Sequence, residues 1–153
     1  MKNKIVADSS IIVKWFRKGE EFEEEALKFR DDVFSSIIEV TICELMPLEV
    51  CRALIKAGYS PKKVNEAYHT LFEMIELGFL KPISIEKLRD LAKELIVILN
   101  LYVIDALMLA TAISNSLNLL TEDTHLLKNE VKEFMEKKGL KIINLKDFYS
   151  NKY

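Results

Sequence analysis

The fold is decided by the segment Lys4-Ile5-Val6-Ala7-Asp8-Ser9-Ser10-Ile11-Ile12-Val13-Lys14-Trp15-Phe16 near the start of the chain. Its first part is a short apolar run with β-branched residues, which predicts a strand that ends at Asp8. The hydroxyls of Ser9 and Ser10 are typical N-cap groups, so we expect a helix over residues 11–16. A strand that passes directly into a helix is typical of proteins built from parallel strands with helical crossovers.

The same alternation of strand and helix continues along the chain. Further strands are predicted over residues 37–42, 79–83, 117–120 and 140–145. Further helices are predicted over residues 20–32, from Pro47 to near Gly58, from Pro61 to Gly78, and over 85–99, 103–114 and 124–138. Strands that alternate with helices imply right-handed crossovers and a mostly parallel sheet. The predicted class is therefore α/β, with a mostly parallel central sheet flanked by helices.

Composition narrows the classes of function. The chain has 153 residues, half of them apolar, which suits one domain with a single core. Lys and Arg number 22 against 24 Asp and Glu, a net charge of −2 that argues against a histone-like polycation or an acidic tail. Apolar stretches stay below the ~20 residues of a membrane span, and residues 5–7 are too short for a signal peptide core. We expect a soluble, cytoplasmic protein with no membrane partner.

Cysteine and histidine are sparse. Cys43 and Cys51 form no CxxC motif, and we interpret them as small buried hydrophobes in a reducing compartment. His69 and His125 have no companion His or Cys at ligand spacing, so a zinc site is not expected. A His/Ser or His/Cys nucleophilic pair stays open at this point, although no pattern indicates one.

Two acids follow predicted strands. Asp8 stands directly after the first strand, and Asp123 comes two residues past Leu119-Leu120-Thr121. Ligands of open parallel sheets bind beyond the carboxyl ends of the strands, so both acids should emerge at one edge. An acid after a strand is also a common turn former or helix cap, which leaves a structural role open for each.

Asp105 is more informative because of its surroundings. It lies in Val103-Ile104-Asp105-Ala106-Leu107-Met108-Leu109-Ala110, a segment without any other charge. An ionised carboxylate in such a segment is costly unless a cation or metal pairs with it or a helix N-terminus stabilises it. Asp105 is therefore a candidate for a site, with a dipole-stabilised structural acid as the alternative.

Glu49 is also flanked by apolar residues, in Pro47-Leu48-Glu49-Val50-Cys51. A first-turn acid of the helix, or a partner for Arg52, is the structural alternative. Glu44 lies five residues earlier, about 140° around a helix, so both acids cannot face one site. We prefer Glu49 because of its apolar neighbours.

These acids lie in four segments that resemble the motifs of PIN-domain nucleases, particularly the VapC-like toxins. Residues 6–16 resemble the opening motif and Pro47-Leu48-Glu49-Val50-Cys51-Arg52-Ala53-Leu54 the second. Ile104-Asp105-Ala106-Leu107-Met108-Leu109-Ala110 resembles the third, and Leu120-Thr121-Glu122-Asp123-Thr124-His125-Leu126 the fourth. The resemblance covers nearly the whole chain, in the family's order and spacing. Arg52 departs from it, because this branch often has Asn there.

The resemblance implies a single PIN-like nuclease domain over residues 1–153 and a metal-dependent endoribonuclease, the toxin of a toxin–antitoxin pair. It implies that the catalytic and metal-binding acids are Asp8, Glu49, Asp105 and Asp123, with Ser9 and Thr121 as orienting hydroxyls. Mg²⁺ or Mn²⁺ suits an all-oxygen ligand set. The implied partners are an RNA substrate, a second copy of the chain and an antitoxin protein.

Other functions compete with this interpretation. A response-regulator receiver usually has a pair of acids after its first strand, and a DxDx-type phosphatase has a second Asp at position 10, where this chain has Ser10. A catalytically silent PIN-fold module that binds RNA or protein is the main alternative. The lysines from Lys128 to Lys146, with Lys56, Lys62 and Lys63, could track an RNA backbone, but solvated helix faces are the favoured interpretation.

Overall fold

The computed structural model describes residues 2–150. Its strands are β1 (Asn3–Ala7), β2 (Ile38–Cys43), β3 (Leu80–Ile83), β4 (Leu119–Leu120) and β5 (Ile142–Ile143). Its helices are α1 (Ser9–Ile12), which continues as a 3₁₀ turn (Val13–Trp15), α2 (Glu23–Phe34), α3 (Met46–Lys56), α4 (Pro61–Glu76), α5 (Ile85–Leu99), α6 (Val103–Asn115), α7 (Asn129–Glu136) and α8 (Leu145–Ser150).

All five strands form one parallel sheet in the order β3-β2-β1-β4-β5. The predicted α/β class with a parallel central sheet is therefore confirmed. Ala7 pairs with Leu120, so β1 and β4 end side by side. The residues that follow the two strands, Asp8 and Thr121, are consequently neighbours although they are far apart in sequence.

Helix α6 packs on the sheet against β1, β2 and β4. Every residue from Asp105 to Ala112 is buried, which agrees with the apolar character of this helix on all sides. Asp105 lies in its first turn, so the sheet and α6 together carry a carboxylate into the edge where β1 and β4 end.

The first helix begins two residues earlier than the sequence predicts. Asp8, and not a serine, is its N-cap: the Asp8 side chain accepts a hydrogen bond from the backbone N–H of Ser9. The prediction that Ser9 and Ser10 serve as N-caps is wrong, because an Asp at the strand end can cap the helix directly.

Two further predictions near the end of the chain are wrong. The helix predicted over 124–138 occupies only α7, because a turn comes first, in which the Asp123 carboxylate accepts the backbone N–H of His125 at 2.8 Å. The strand predicted over 140–145 is reduced to β5. The side chain of Asn144 accepts the backbone N–H of Asp147 at 2.7 Å and so starts α8, a helix that the sequence pattern does not predict.

The two cysteines differ in exposure. Cys43 is buried, Cys51 is half-buried and both are free thiols, and burial raises the pKa of each.

Within residues 2–150 no single helix has the length and apolar character to cross a membrane. By length and composition alone, α5 and α6 taken together would pass that test, with a bend of 115° between them.

Candidate active site

Asp8 lies at the carboxyl end of β1 and is almost fully buried, with 3% of its surface exposed. Its Oδ2 accepts hydrogen bonds from the hydroxyls of Ser10 and Thr121, both at 2.8 Å. Its Oδ1 accepts the backbone N–H of Ser9 at 2.8 Å and a longer contact from the Ser9 hydroxyl at 3.4 Å. A carboxylate oxygen has two acceptor positions, so Oδ1 keeps room for one further strong partner.

The hydroxyls that hold Asp8 also hold the segment after β4. Thr121 Oγ1 accepts the backbone N–H of Asp123 at 3.0 Å, and Ser10 Oγ accepts that of Glu122 at 2.9 Å. Both hydroxyl hydrogens are directed to Asp8 Oδ2, so the 3.2 Å approach of Ser10 Oγ to Thr121 Oγ1 carries no hydrogen of its own. This network sets the position of Asp123 relative to Asp8.

The network differs in one member from the prediction. The Thr121 hydroxyl donates to Asp8, whereas Ser9 does so mainly through its backbone, and the shorter serine hydroxyl contact comes from Ser10. Ser10 is not among the site residues predicted from the sequence. Recognising Asp8 as the N-cap could have indicated it, because a hydroxyl two residues after an Asp cap lies within reach of that carboxylate.

The electrostatics of Asp105 are strongly perturbed at this edge of the sheet. Burial raises its pKa to about 7, and the charge and hydrogen bonding of Asp123 and the charges of Asp8 and Glu49 add to the rise. Only 7% of the Asp105 surface is exposed. All four acids therefore act electrostatically at one place, although they come from β1, α3, α6 and the loop after β4.

Burial also raises the pKa of Asp8. The hydrogen bonds from Thr121, Ser10 and the Ser9 backbone oppose this rise, and the charge of Asp123 adds to it. Two buried carboxyls that resist ionisation next to further acids form a site where a cation would be strongly stabilised.

A cleft of about 420 Å³ opens over three of the predicted acids, Asp8, Glu49 and Asp123. Basic side chains line the same cleft; they are Lys14, Arg17, Arg52 and Lys56. Glu49, Arg52 and Lys56 share one face of α3, three and four residues apart. The cleft thus combines acids that suit a metal ion with cations that suit a polyanion.

Asp105 lies in the wall of a second, neighbouring cavity of about 340 Å³, which we call the Tyr102 cavity. It lies between the turn joining α5 to α6 and the segment that leads into α7, and its walls include Asn100, Tyr102, His125, Lys128 and Glu130. Asp105 thus joins the cleft to the Tyr102 cavity, because it lines one and interacts with the acids of the other.

Glu44, the acid rejected in favour of Glu49, has a different task. It precedes α3, and its Oε1 accepts the backbone N–H of Ile85 at 3.0 Å, at the start of α5. Ser84, the N-cap residue of α5, makes no side-chain cap hydrogen bond. Glu44 is therefore engaged at the start of α5, and Glu49 is the acid of α3 that lines the cleft.

The four acids suit a metal ion by chemistry more than by present spacing. Carboxylate oxygens are the ligands that Mg²⁺ and Mn²⁺ prefer. Across residues 2–150, however, no three His, Cys, Asp or Glu side chains form a group that could hold a metal ion. The donor types fit a hard divalent cation, and the side chains as placed do not form its coordination shell.

Comparison with known proteins places the chain in a family. The PIN domain model matches residues 5–132. PAE2754 from Pyrobaculum aerophilum superimposes with a TM-score of 0.63 at 18% identity over 97% of this chain and 93% of that one. FitAB bound to an IR36 DNA fragment superimposes with a TM-score of 0.60 at 15% identity, over 92% of this chain and 94% of that one. VapBC-5 of Mycobacterium tuberculosis, a member of the VapBC family of toxin–antitoxin systems, superimposes with a TM-score of 0.54 at 15% identity, over 92% of this chain and 98% of that one. The comparison with curated proteins gave no match.

Proposed function

The chain belongs to the PIN domain family, and on that premise we propose that it is a metal-dependent endoribonuclease that hydrolyses RNA phosphodiester bonds. PIN domains are generally nucleases. The observation that carries the proposal is the position of the acids: Asp8, Glu49 and Asp123 line one cleft, and Asp105 is buried close enough for the charges of all three to raise its pKa. Four carboxylates that repel one another in a partly buried site are typical of a centre that a divalent cation completes.

We assign the metal to Asp8, Glu49, Asp105 and Asp123. Asp8 and Asp105 would contact Mg²⁺ or Mn²⁺ directly, and Glu49 and Asp123 directly or through water. When bound, such an ion neutralises charge on the phosphoryl group and lowers the pKa of a water molecule. The protein orients Asp8 through the hydroxyls of Ser10 and Thr121 and the backbone of Ser9, which leaves Oδ1 able to accept a further partner.

The basic side chains of the cleft would bind the RNA backbone. Arg52 and Lys56 are exposed and share the cleft with Glu49, so a phosphate at the acids lies within the field of both cations. Arg17 also lines the cleft, although it is paired with Glu20 at 2.9 Å. A local basic rim is what a chain with a net charge of −2 needs to bind a polyanion.

The proposed biological role is that of a toxin in a toxin–antitoxin pair, acting in the cytoplasm as one nuclease domain over residues 1–153. Support comes from family membership and from a structural neighbour that is itself a toxin–antitoxin system. A homodimer and a cognate antitoxin are the proposed protein partners.

RNA cleavage with defined metals tests the proposed activity. We expect the purified protein to cut single-stranded or structured RNA with Mg²⁺ or Mn²⁺ and to stop when EDTA is added. Glu49→Gln removes a charge from the cleft and should lower the rate at least about 100-fold, the scale of effect that loss of a catalytic charge has. Cleavage at full rate in excess EDTA would sink the metal mechanism.

Glu44→Gln is the matched control for Glu49→Gln. It makes the same change five residues away, and its amide oxygen can still accept the backbone N–H of Ile85. We expect this variant to cut RNA like the wild type. Equal losses in the two variants would contradict the assignment of Glu49 to the site.

A PIN-fold module that binds RNA or protein without cutting is the second candidate. The spacing of the acids favours it, since the part of the chain from residue 2 to residue 150 holds no ready group of three metal ligands. RNA binding without cleavage at saturating Mg²⁺ and Mn²⁺ would support this alternative over the nuclease.

A further inference from the structure

We propose that the Tyr102 cavity binds a base of the RNA substrate beside the four acids. This inference rests on the proposed function, because it names a second part of the same substrate site. The cavity shares Asp105 with the acid cluster, so an RNA strand that passes the acids reaches it at once.

Tyr102 offers a surface on which a base can stack. Tyr102 is 71% exposed although it lines the cavity. Its ring meets that of His125 nearly at right angles, with centroids 5.3 Å apart and an interplanar angle of 84°. This edge contact holds the ring while it leaves aromatic surface open, and single-stranded RNA binds proteins largely by stacking on such rings.

His125 is placed by one of the proposed metal ligands. Its backbone N–H donates to Asp123 Oδ1 at 2.8 Å, so the turn that carries Asp123 also carries His125 to the cavity. The aromatic pair therefore has a set position relative to the acids. A base bound there would place its own phosphate toward Asp105 and Asp123.

The cavity also has the size and the polar groups that a nucleotide needs. About 340 Å³ lies within the roughly 300–1,000 Å³ of small-molecule sites. Lys128 is exposed at its wall and suits a phosphate. The Asn100 amide and the Glu130 carboxylate offer a donor and acceptors for the edge of a base.

Fluorescence of 2-aminopurine tests stacking without the need for catalysis. The probe is a set of short single-stranded RNAs with 2-aminopurine at successive positions, added with Mg²⁺ to Glu49→Gln protein so that the RNA stays intact. We expect quenching at one position. When Tyr102→Leu is combined with Glu49→Gln in one protein, the quenching should disappear and the affinity for the RNA should fall about tenfold.

Two controls separate stacking from general damage. Tyr102→Phe keeps an aromatic ring and should restore the quenching. Phe72→Leu removes another exposed aromatic ring, on α4, which contributes no residue to the cleft or the Tyr102 cavity, and should change nothing. Quenching that survives Tyr102→Leu, or no quenching at any position with Tyr102 intact, overturns the subsite.

The same experiment keeps this inference apart from the proposed nuclease. Wild-type protein that cuts RNA with Mg²⁺, with quenching indifferent to Tyr102→Leu, overturns the subsite and leaves the nuclease standing. If quenching depends on Tyr102 but the wild-type protein does not cut RNA, the subsite is supported and the proposed nuclease activity is contradicted.

Discussion

At the scale of single residues, the charge of Asp105 affects the stability of the metal-free protein. Its carboxyl is buried at the start of an apolar helix and near three other acids, which raises its pKa to about 7. Above that pH the folded protein must hold a charge that water would solvate better in the unfolded chain. Asp105 therefore destabilises the metal-free protein at neutral and alkaline pH.

Asp105→Asn tests this directly. The amide keeps the shape and removes the charge, so in EDTA at pH 8 the variant should exceed the wild type in free energy of unfolding by on the order of 2 kcal/mol. The difference should shrink as the pH falls from 7 toward 4, because the Asp105 pKa is about 7 in the folded protein and its ordinary value is 3.8. Urea unfolding in EDTA between pH 4 and 8 measures it. With Mg²⁺ the variant should lose metal stabilisation and RNA cleavage.

Asp90→Asn is the control for that variant. Asp90 is an exposed acid on α5, and its replacement should change the free energy of unfolding by less than about 0.5 kcal/mol. An Asp105→Asn protein that unfolds more easily in EDTA, keeps the wild-type response to Mg²⁺ and cuts RNA would make Asp105 a structural acid.

At the scale of elements, the start of α5 depends on a residue from another segment. Glu44 Oε1 accepts the backbone N–H of Ile85, in place of the Ser84 hydroxyl that a local cap would use. The contact joins the end of β2 to α5, and its carboxylate lies at the positive end of the helix dipole. Glu44 thus connects two segments of the fold, whereas Glu49, five residues later, lines the cleft.

Glu44→Ala should therefore affect stability and not chemistry. We expect a loss of about 0.5–1 kcal/mol in the free energy of unfolding, since an exposed helix end loses its acceptor. RNA cleavage should stay at the wild-type rate. Thermal unfolding and a cleavage assay on the same preparation check both statements, and a variant of normal stability that no longer cuts RNA would contradict them.

At the scale of the whole molecule, the parallel sheet gathers residues that are distant in sequence. Thr121 reaches Asp8 across 113 positions because β1 and β4 end side by side. Asp105 lines the Tyr102 cavity and interacts electrostatically with the acids of the cleft. In the proposed complex one RNA strand would therefore contact the basic side chains, the acids and the aromatic pair in turn. The arrangement is a property of the sheet order and of the way α6 packs on it.

The proposed homodimer is a prediction at the same scale. Large apolar side chains of α3 are exposed, among them Leu48 and Ile55, and a second copy of the chain would cover such groups. We expect light scattering at micromolar concentration to give a mass near twice the 17.7 kDa of one chain. A monomeric mass would contradict the dimer and leave the proposed chemistry intact.

The α/β class, most of the helices and strands, and the four candidate acids can be predicted from the sequence. Strands and helices follow from local periodicity, which depends on neighbours a few residues apart. Asp105 stood out because its own segment has no other charge, and the order of four motifs indicated the family. The periodicity and each single motif are contained in a short stretch of chain, and the order of the motifs is visible without knowing which segments touch.

The construction of the candidate site depends on contacts that the sequence does not show. One of them, the hydrogen bond from Ser10 to Asp8, depends on where a helix begins. The others join segments distant in the chain: Glu44 with Ile85, Tyr102 with His125, and Arg52 and Lys56 with the other residues of the cleft. The sequence could not show them, because a hydrogen bond or ring contact between distant segments leaves no periodicity in either one. Such segments come together when β1 pairs with β4 and α6 packs on the sheet.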